Sequence, residues 1–334
     1  MIQRFRPHIS GRRGEPIMQL LIQRIFDGVS DGAVYASIAV ALVLIFKATT
    51  LINFAQGEMA MFGAFFAYIF AVQSGILDFL GNAYLIIWVG ALIAMILSAV
   101  VGVSIERVLT RPFDPEDHLP VVLITLGLFL GINAIAGIIW NYQARIMPSM
   151  FPNSFDDKIE IFGARLFYDT IGTVITLGIV LYVLFLILNK TKMGLAFRAV
   201  SANVESARLV GVPTGKVLSF GWALASAFGA LGAVIVAPRI TLQPSMMAAI
   251  VIYAFASAAL GGLDSVGGAA FGGLIVGLTK SLGNGYLGSW HFGFEHPPLE
   301  FLPATPLLIP VLILLAVLWY KPSGLFGTKR IERV

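Results

Sequence analysis

Apolar runs of about 20 residues recur along the chain, separated by short polar segments, and each is long enough to cross a bilayer as a helix. The runs are Gly28–Phe46, Phe54–Val72, Ala83–Ser104, Val121–Trp140, Ile171–Leu188, Val217–Ala237, Met246–Gly262, Val266–Leu282 and Pro306–Tyr320. The pattern predicts an all-α, polytopic integral membrane protein with about eight or nine transmembrane helices. No linker is polar or long enough to mark a second, soluble domain, so residues 18–334 read as a single transmembrane domain.

Charge between the runs orients them, because Lys and Arg near span ends resist translocation. The segment Lys190–Lys216 reads KTKMGLAFRAVSANVESARLVGVPTGK, with five basic residues (Lys190, Lys192, Arg198, Arg208, Lys216) against one acid, Glu205. It should face the cytoplasm, as should the tail from Lys321, with four basic residues and one acid. Asn141–Thr170 holds three basic and four acidic residues, and Asn284–Leu302 holds Glu295 and Glu300 with no Lys or Arg; both should lie outside. The parity of spans agrees from Glu106 onward. In the N-terminal third it conflicts: three spans before Glu106 put the N-terminus outside, whereas Arg4, Arg6, Arg12 and Arg13 favour the inside. A native start at Met18, with residues 1–17 a polar extension, removes the conflict. The alternative is a Thr49–Ala71 segment that is re-entrant or split into two passes.

The basic segment also has internal structure. Gly194–Ala202 and Asn203–Val210 can each form about two helical turns, stopped by Gly211 and Pro213. Two short helices shown to the cytosol imply a partner that grips them.

Composition fits the same class. The chain is 58% hydrophobic and 12% charged, with mean hydropathy +0.88; a soluble domain carries about 25% charged residues. The formal net charge of +4 reflects basic loops, and no basic run interleaved with aromatics suggests nucleic acid as a partner. Cysteine is absent, which excludes disulfides and thiol chemistry. His8, His118, His291 and His296 lie apart without metal-ligand spacing. No GxxxxGK[ST], HExxH or GxSxG occurs. The chain reads as a non-enzyme without cofactor or metal, and any energy source must come from another chain.

The sharpest polar cluster is NFAQGE, Asn53 to Glu58. A carboxylate at mid-bilayer costs roughly 2.5–3.5 kcal/mol, so an intramembrane Glu is usually functional or paired. Gly57 permits a backbone break, and broken helices expose polar backbone only where they line a cavity or pack on protein. Asn53, Gln56, Gly57 and Glu58 therefore form either a turn on a translocation pathway or an interfacial loop whose carboxylate caps the next helix. Asp27 and Asp31 flank Ser30 where the first run begins, which suits helix capping. Lys280 can snorkel to the interface, and Arg239 and Asp264 fall in short turns open to solvent. Gly268, Gly272, Gly273 and Gly277, like Gly229, Gly232 and Ala233, have small-xxx-small spacing that suits close helix packing.

At this point the residues resemble a family, the LivH-type permeases of bacterial branched-chain amino acid ABC importers. DGVSDGAVYASIAVALVLIFKATTLINFAQGEMAMFGAF is similar to the family's opening, where a Tyr-Ala helix leads into an Asn-Phe-Ala-(His or Gln)-Gly-Glu turn. TKMGLAFRAVSANVESARLVGVP resembles its cytoplasmic coupling segment. LGGLDSVGGAAFGGLIVGL resembles the Gly-rich late hairpin, although Asp264 and Gly267 stand where small residues and Pro are common, and KPSGLFG resembles the C-terminal signature. The match runs in order from Met18 onward.

The resemblance implies a permease of the type II ABC importer kind in the bacterial inner (cytoplasmic) membrane, surrounded by membrane lipid. It implies pairing with a second, LivM-like permease subunit, two ABC ATPase subunits and a periplasmic or extracellular substrate-binding protein. Gly194, Arg198, Ala199, Glu205, Leu209, Gly211 and Val212 would then contact an ATPase. The rival readings are a permease for another small polar solute, such as urea or a short amide, and an ion-coupled secondary carrier, which usually needs several ionisable groups in mid-membrane.

Overall fold

The computed structural model describes residues 17–113, 118–286 and 305–327. The polar stretch 1–16 and most of the Asn284–Leu302 segment lie outside the described residues. In chain order the elements are α1 (Ile17–Thr49), α2 (Gln56–Tyr68), α3 (Ala83–Ile105), α4 (His118–Trp140), β1 (Lys158–Ile161), β2 (Ala164–Phe167), α5 (Tyr168–Lys190), α6 (Lys192–Ala202), α7 (Val204–Leu209), α8 (Thr214–Ile240), α9 (Ala248–Gly261), α10 (Val266–Tyr286) and α11 (Thr305–Tyr320). Each predicted run falls on one helix. Among the described residues six helices are long and apolar enough to cross a membrane, and α9 and α11 are shorter apolar helices. α2 is prolonged by one π turn, Ile69–Gln73. The two strands form an antiparallel hairpin with Lys158 opposite Phe167 and Ile161 opposite Ala164; the run pattern gave no sign of it.

α1 is the central post of the bundle. Ile38 to Ile45 are almost completely buried, because α1 packs against α8, α9 and α10 together. Its closest neighbour is α10, and glycines set that approach. A Cβ added at Gly277 would lie 2.3 Å from Gly32 Cα, and one at Gly273 would lie 2.4 Å from Ala36 Cα. Among lipid tails there is little hydrophobic gain in helix association, so van der Waals contact through such grooves supplies much of it. By contrast α3, α4 and α5 turn apolar stripes outward, such as Leu92, Ile96 and Val100 on α3. Their spacing of four residues marks one helix face, left for lipid or a neighbouring subunit.

On the expectation that the basic 190–216 segment faces the cytoplasm, the end of the bundle that carries it is the cytoplasmic end and the opposite one the outer end. Ala48, near the end of α1, lies beside Gly221 of α8, which also receives Phe197 of α6; the C-terminal end of α1 is therefore cytoplasmic. So is the end of α3, where Glu106 accepts two bonds from Arg111, at 2.9 and 2.6 Å, and one from Ser219 of α8 at 2.7 Å. The start of α1 lies at the opposite, outer end. There Gln19 donates to the Gly163 carbonyl at 2.8 Å and Gln23 accepts from the Arg165 N–H at 2.7 Å, tying α1 to the hairpin. At about 1.5 Å per residue the 33 residues of α1 exceed what the bilayer needs, and the surplus projects outward. α1 thus runs from the outer to the cytoplasmic end, and α2 returns outward from within the bundle, with Gln56 level with Ala225 and Gly63 with Ala230 of α8.

Candidate functional site

Three polar regions stand out among the described residues, and the first is the basic pair α6–α7. Thr191 caps α6 by accepting from the Gly194 N–H at 3.0 Å, and Asn203 caps α7 by accepting from the Ser206 N–H at 2.7 Å. Gly211 ends the pair in a left-handed conformation, φ +82°, which glycine adopts without steric cost. Gly194, Phe197 and Val200 form the buried face of α6, and Ala207 is the buried anchor of α7. Arg198, Glu205, Leu209 and Gly211 are exposed, while Ala199 and Val212 are half-buried. Leu209 is 88% and Val210 78% exposed, so a short apolar knuckle stands at the surface without cover from the described residues.

The second region is NFAQGE. Asn53 folds into a turn, its Oδ1 accepting from the Ala55 N–H at 3.0 Å and its amide donating to Gln56 Oε1 at 3.3 Å. Gln56 donates to the Ala225 carbonyl at 3.2 Å, near the midpoint of α8, so α2 begins deep in the bundle rather than at its edge. Glu58 makes no cap bond to the helix start. Its Oε2 accepts from the Asn133 amide of α4 at 3.2 Å, and the same amide reaches the Pro244 carbonyl at 3.1 Å. Gly57 lets α9 close over the turn, since a Cβ there would sit 2.2 Å from Val251 Cγ2. Asn53, Gln56 and Glu58 are all buried in this chain. Asn133 and Pro244 were not singled out from the sequence; a lone Asn in an otherwise apolar run was the available signal.

The third region, at the outer end, was read differently from the sequence. α1 starts eleven residues before Gly28, at Ile17, so Asp27 and Asp31 sit inside the helix and do not cap it. Lys280 does not snorkel: its Nζ lies 2.8 Å from Asp31 Oδ2 and donates to the Tyr35 hydroxyl at 2.6 Å. It rests over the Tyr35 and Tyr253 rings, 5.3 and 5.0 Å from their centroids, and those rings stack at 4.8 Å. Nor is Arg239 in an open turn. It closes α8, donates twice to Asp169 Oδ2 at 3.0 and 2.6 Å and to Thr173 Oγ1 at 2.9 Å, and bonds the Ser30 hydroxyl of α1. Arg24 Nη1 stands 3.9 Å from Asp27 Oδ2. These three pairs line one cavity of about 480 Å³, within the range of small-molecule sites. The Arg24 Nε and Ser281 Oγ beside it are buried and lack a hydrogen-bond partner among the described residues. The missed signal was opposite charge in two otherwise apolar spans, which must find each other when buried. Among the described residues no group of three His, Asp or Glu could hold a metal ion.

Comparison with known proteins matches residues 24–318 to the family model described as branched-chain amino acid transport system / permease component. The chain is 24% identical over 315 residues to the high-affinity branched-chain amino acid transport system permease protein BraD of Pseudomonas aeruginosa, covering 94% of this chain and 98% of that one. It is 25% identical over 321 residues to the corresponding LivH protein of Escherichia coli K12, covering 94% and 97%. To the probable branched-chain amino acid transport permease protein LivH of Methanocaldococcus jannaschii it is 29% identical over 314 residues, covering 92% and 95%.

Proposed function

The chain belongs to the branched-chain amino acid transport system permease family, and from that premise we propose that it imports branched-chain amino acids across a bacterial inner membrane as half of an ATP-driven pathway. The other half is a second, LivM-like permease. Two ATPase subunits dock below, and a binding protein delivers substrate from outside.

The observation that supports this reading is the α6–α7 pair. Two capped helices of eleven and six residues are held by Phe197 and Ala207 against the membrane helices, with Leu209 and Val210 left bare. A short helix pair pinned on one side and apolar on the other suits a groove on an ATPase. Gly194, Arg198, Ala199, Glu205, Leu209, Gly211 and Val212 form its contact and hinge set. ATP binding and hydrolysis below then displace α6–α7, and α8, which follows after Pro213, transmits the movement to the bundle. Alternating access follows as the packed helices tilt between outward-open and inward-open states.

The NFAQGE turn contributes to the pathway at mid-depth, where Glu58 and Asn133 bridge α2 and α4 beside the α8–α9 connection. Glu58→Gln keeps an acceptor for the Asn133 amide but removes the charge; a variant that imports at the normal rate removes the proposed role of the carboxylate. The broader reading is tested by purifying the tagged chain gently from its host and identifying what accompanies it. Recovery of P-loop ATPases and a second polytopic chain supports it. Recovery of the folded chain alone, moving solute without ATP, refutes it.

A further inference from the structure

The outer cavity has no role in the proposal so far. Its walls carry Arg24, Lys280 and Arg239 against Asp27, Asp31 and Asp169, three cations and three anions, so its formal charge is zero. Packing does not require this arrangement. α1 and α10 are already joined by the Gly32–Gly277 and Ala36–Gly273 approaches. The Lys280–Asp31 pair is part-exposed, and such ion pairs add little stability beyond well-packed apolar side chains, while each charge raises the cost of inserting its span. Lys280 and Asp31 therefore add insertion cost at a place where close packing already holds the helices.

We propose that this vestibule is a transit site that binds the zwitterionic head of an amino acid. The α-carboxylate lies against Lys280 and Arg239, and the α-ammonium against Asp31 and Asp169. The pairs are each closed now, at 2.8 and 2.6 Å, and a zwitterion can enter both by exchange, replacing one inter-residue contact with two to itself. A solute of single charge cannot: it satisfies one member of a part-buried pair and leaves the other without its partner, which offsets the gain. Charge neutrality with separated signs thus selects a dipolar head group and leaves side-chain choice to other parts of the pathway. The unpartnered Arg24 Nε and Ser281 Oγ supply further polar atoms beside it. This inference rests on the amino-acid reading of the permease.

The chain has no cysteine, so one introduced thiol reports on the vestibule without background from this subunit. Asn153 is exposed and lines the cavity, and Asn153→Cys leaves all six charges in place. The intact complex in nanodiscs, without its binding protein, is labelled with a small thiol reagent and the band of this chain is read. L-leucine at about four times its dissociation constant leaves about one-fifth of sites free and slows labelling about five-fold. At equal concentration, 4-methylpentanoate and 3-methylbutylamine, which each carry one of the two charges, leave the rate unchanged. Lys280→Met and, separately, Asp31→Asn abolish the leucine effect in complexes that still elute intact. If leucine gives no protection, or both analogues protect equally, while the same complex reconstituted in proteoliposomes with its binding protein imports leucine with ATP, the vestibule proposal is overturned and the permease reading stands. If the complex imports no leucine yet another zwitterion protects Cys at position 153, the vestibule stands and the branched-chain assignment falls.

Discussion

Gly194→Ala is the smallest change that tests whether α6 is held where coupling needs it. In a helix interior this substitution by itself stabilises by about 1 kcal/mol. The structure reverses the sign. A Cβ at position 194 would sit 2.3 Å from the carbonyl oxygens of both Ile187 and Leu188 and 2.5 Å from the Leu188 carbonyl carbon. These are backbone atoms at the end of α5, so no rotamer change relieves the contact. Restoring an ordinary carbon–oxygen separation of about 3.3 Å moves α6 off α5 by about 1 Å. Phe197 is drawn out of its seat beside Gly221, and overpacking of this kind costs about 1–3 kcal/mol. At 2 kcal/mol, a value inside that range, the seated position of α6 loses about thirty-fold in population. The assay compares ATP hydrolysis with leucine uptake in the same reconstituted complex, together with thermal stability. The expected result is normal expression, a lower melting temperature and uptake reduced at least ten-fold relative to hydrolysis. Full uptake with a raised melting temperature would mean that propensity had won and that α6 is not seated as described.

Three further outcomes follow from the same geometry. Asn203→Ala removes the cap of α7 and about 1 kcal/mol, so amide exchange across residues 204–210 should quicken about five-fold while α8 is unaffected. Glu106→Ala strips Arg111 of its carboxylate and leaves the Ser219 hydroxyl, which still accepts from Arg111, without its acceptor; because Arg111 is 39% exposed, the loss should lie near the lower end of the range for broken buried pairs, about 3 kcal/mol, read as a fall in thermal stability. Gly277→Val puts its Cβ against the backbone of Gly32 and should separate α1 from α10, at about 3 kcal/mol, seen as loss of the monodisperse detergent-solubilised species; Gly178→Val, where an added Cβ meets nothing within 4 Å, should be tolerated.

The span pattern was legible because bilayer thickness imposes a length on the spanning helices. The same reasoning placed α6 and α7, since Asn203, Gly211 and Pro213 act locally. It also recognised that Gly273 and Gly277 pack rather than line a pore. What it missed depends on residues far apart in sequence. Asp31 and Lys280 are 249 positions apart, and nothing local to either span distinguishes a paired lysine from one that reaches the interface. The hairpin of residues 158–167 escaped for another reason: two strands of four residues are too short to show alternation against a background of loop. The start of α1 was misplaced because Arg24 and Asp27 end the apolar run but do not end the helix, which continues outward where charge is no longer costly. Asn133 shows the limit most plainly, since its partners on α2 and before α9 appear only when α4 is laid against them.

The central claim is that this chain carries solute only when ATP is hydrolysed by its partners. The direct measurement is uptake of labelled leucine into proteoliposomes containing the complex co-purified with this chain, with loaded binding protein outside and ATP within. Uptake that requires enclosed ATP, survives dissipation of ion gradients and disappears when the ATPase subunits are left out is the result predicted. Uptake by this chain without ATP, abolished instead by collapsing a proton or sodium gradient, would contradict the account and identify an ion-coupled carrier.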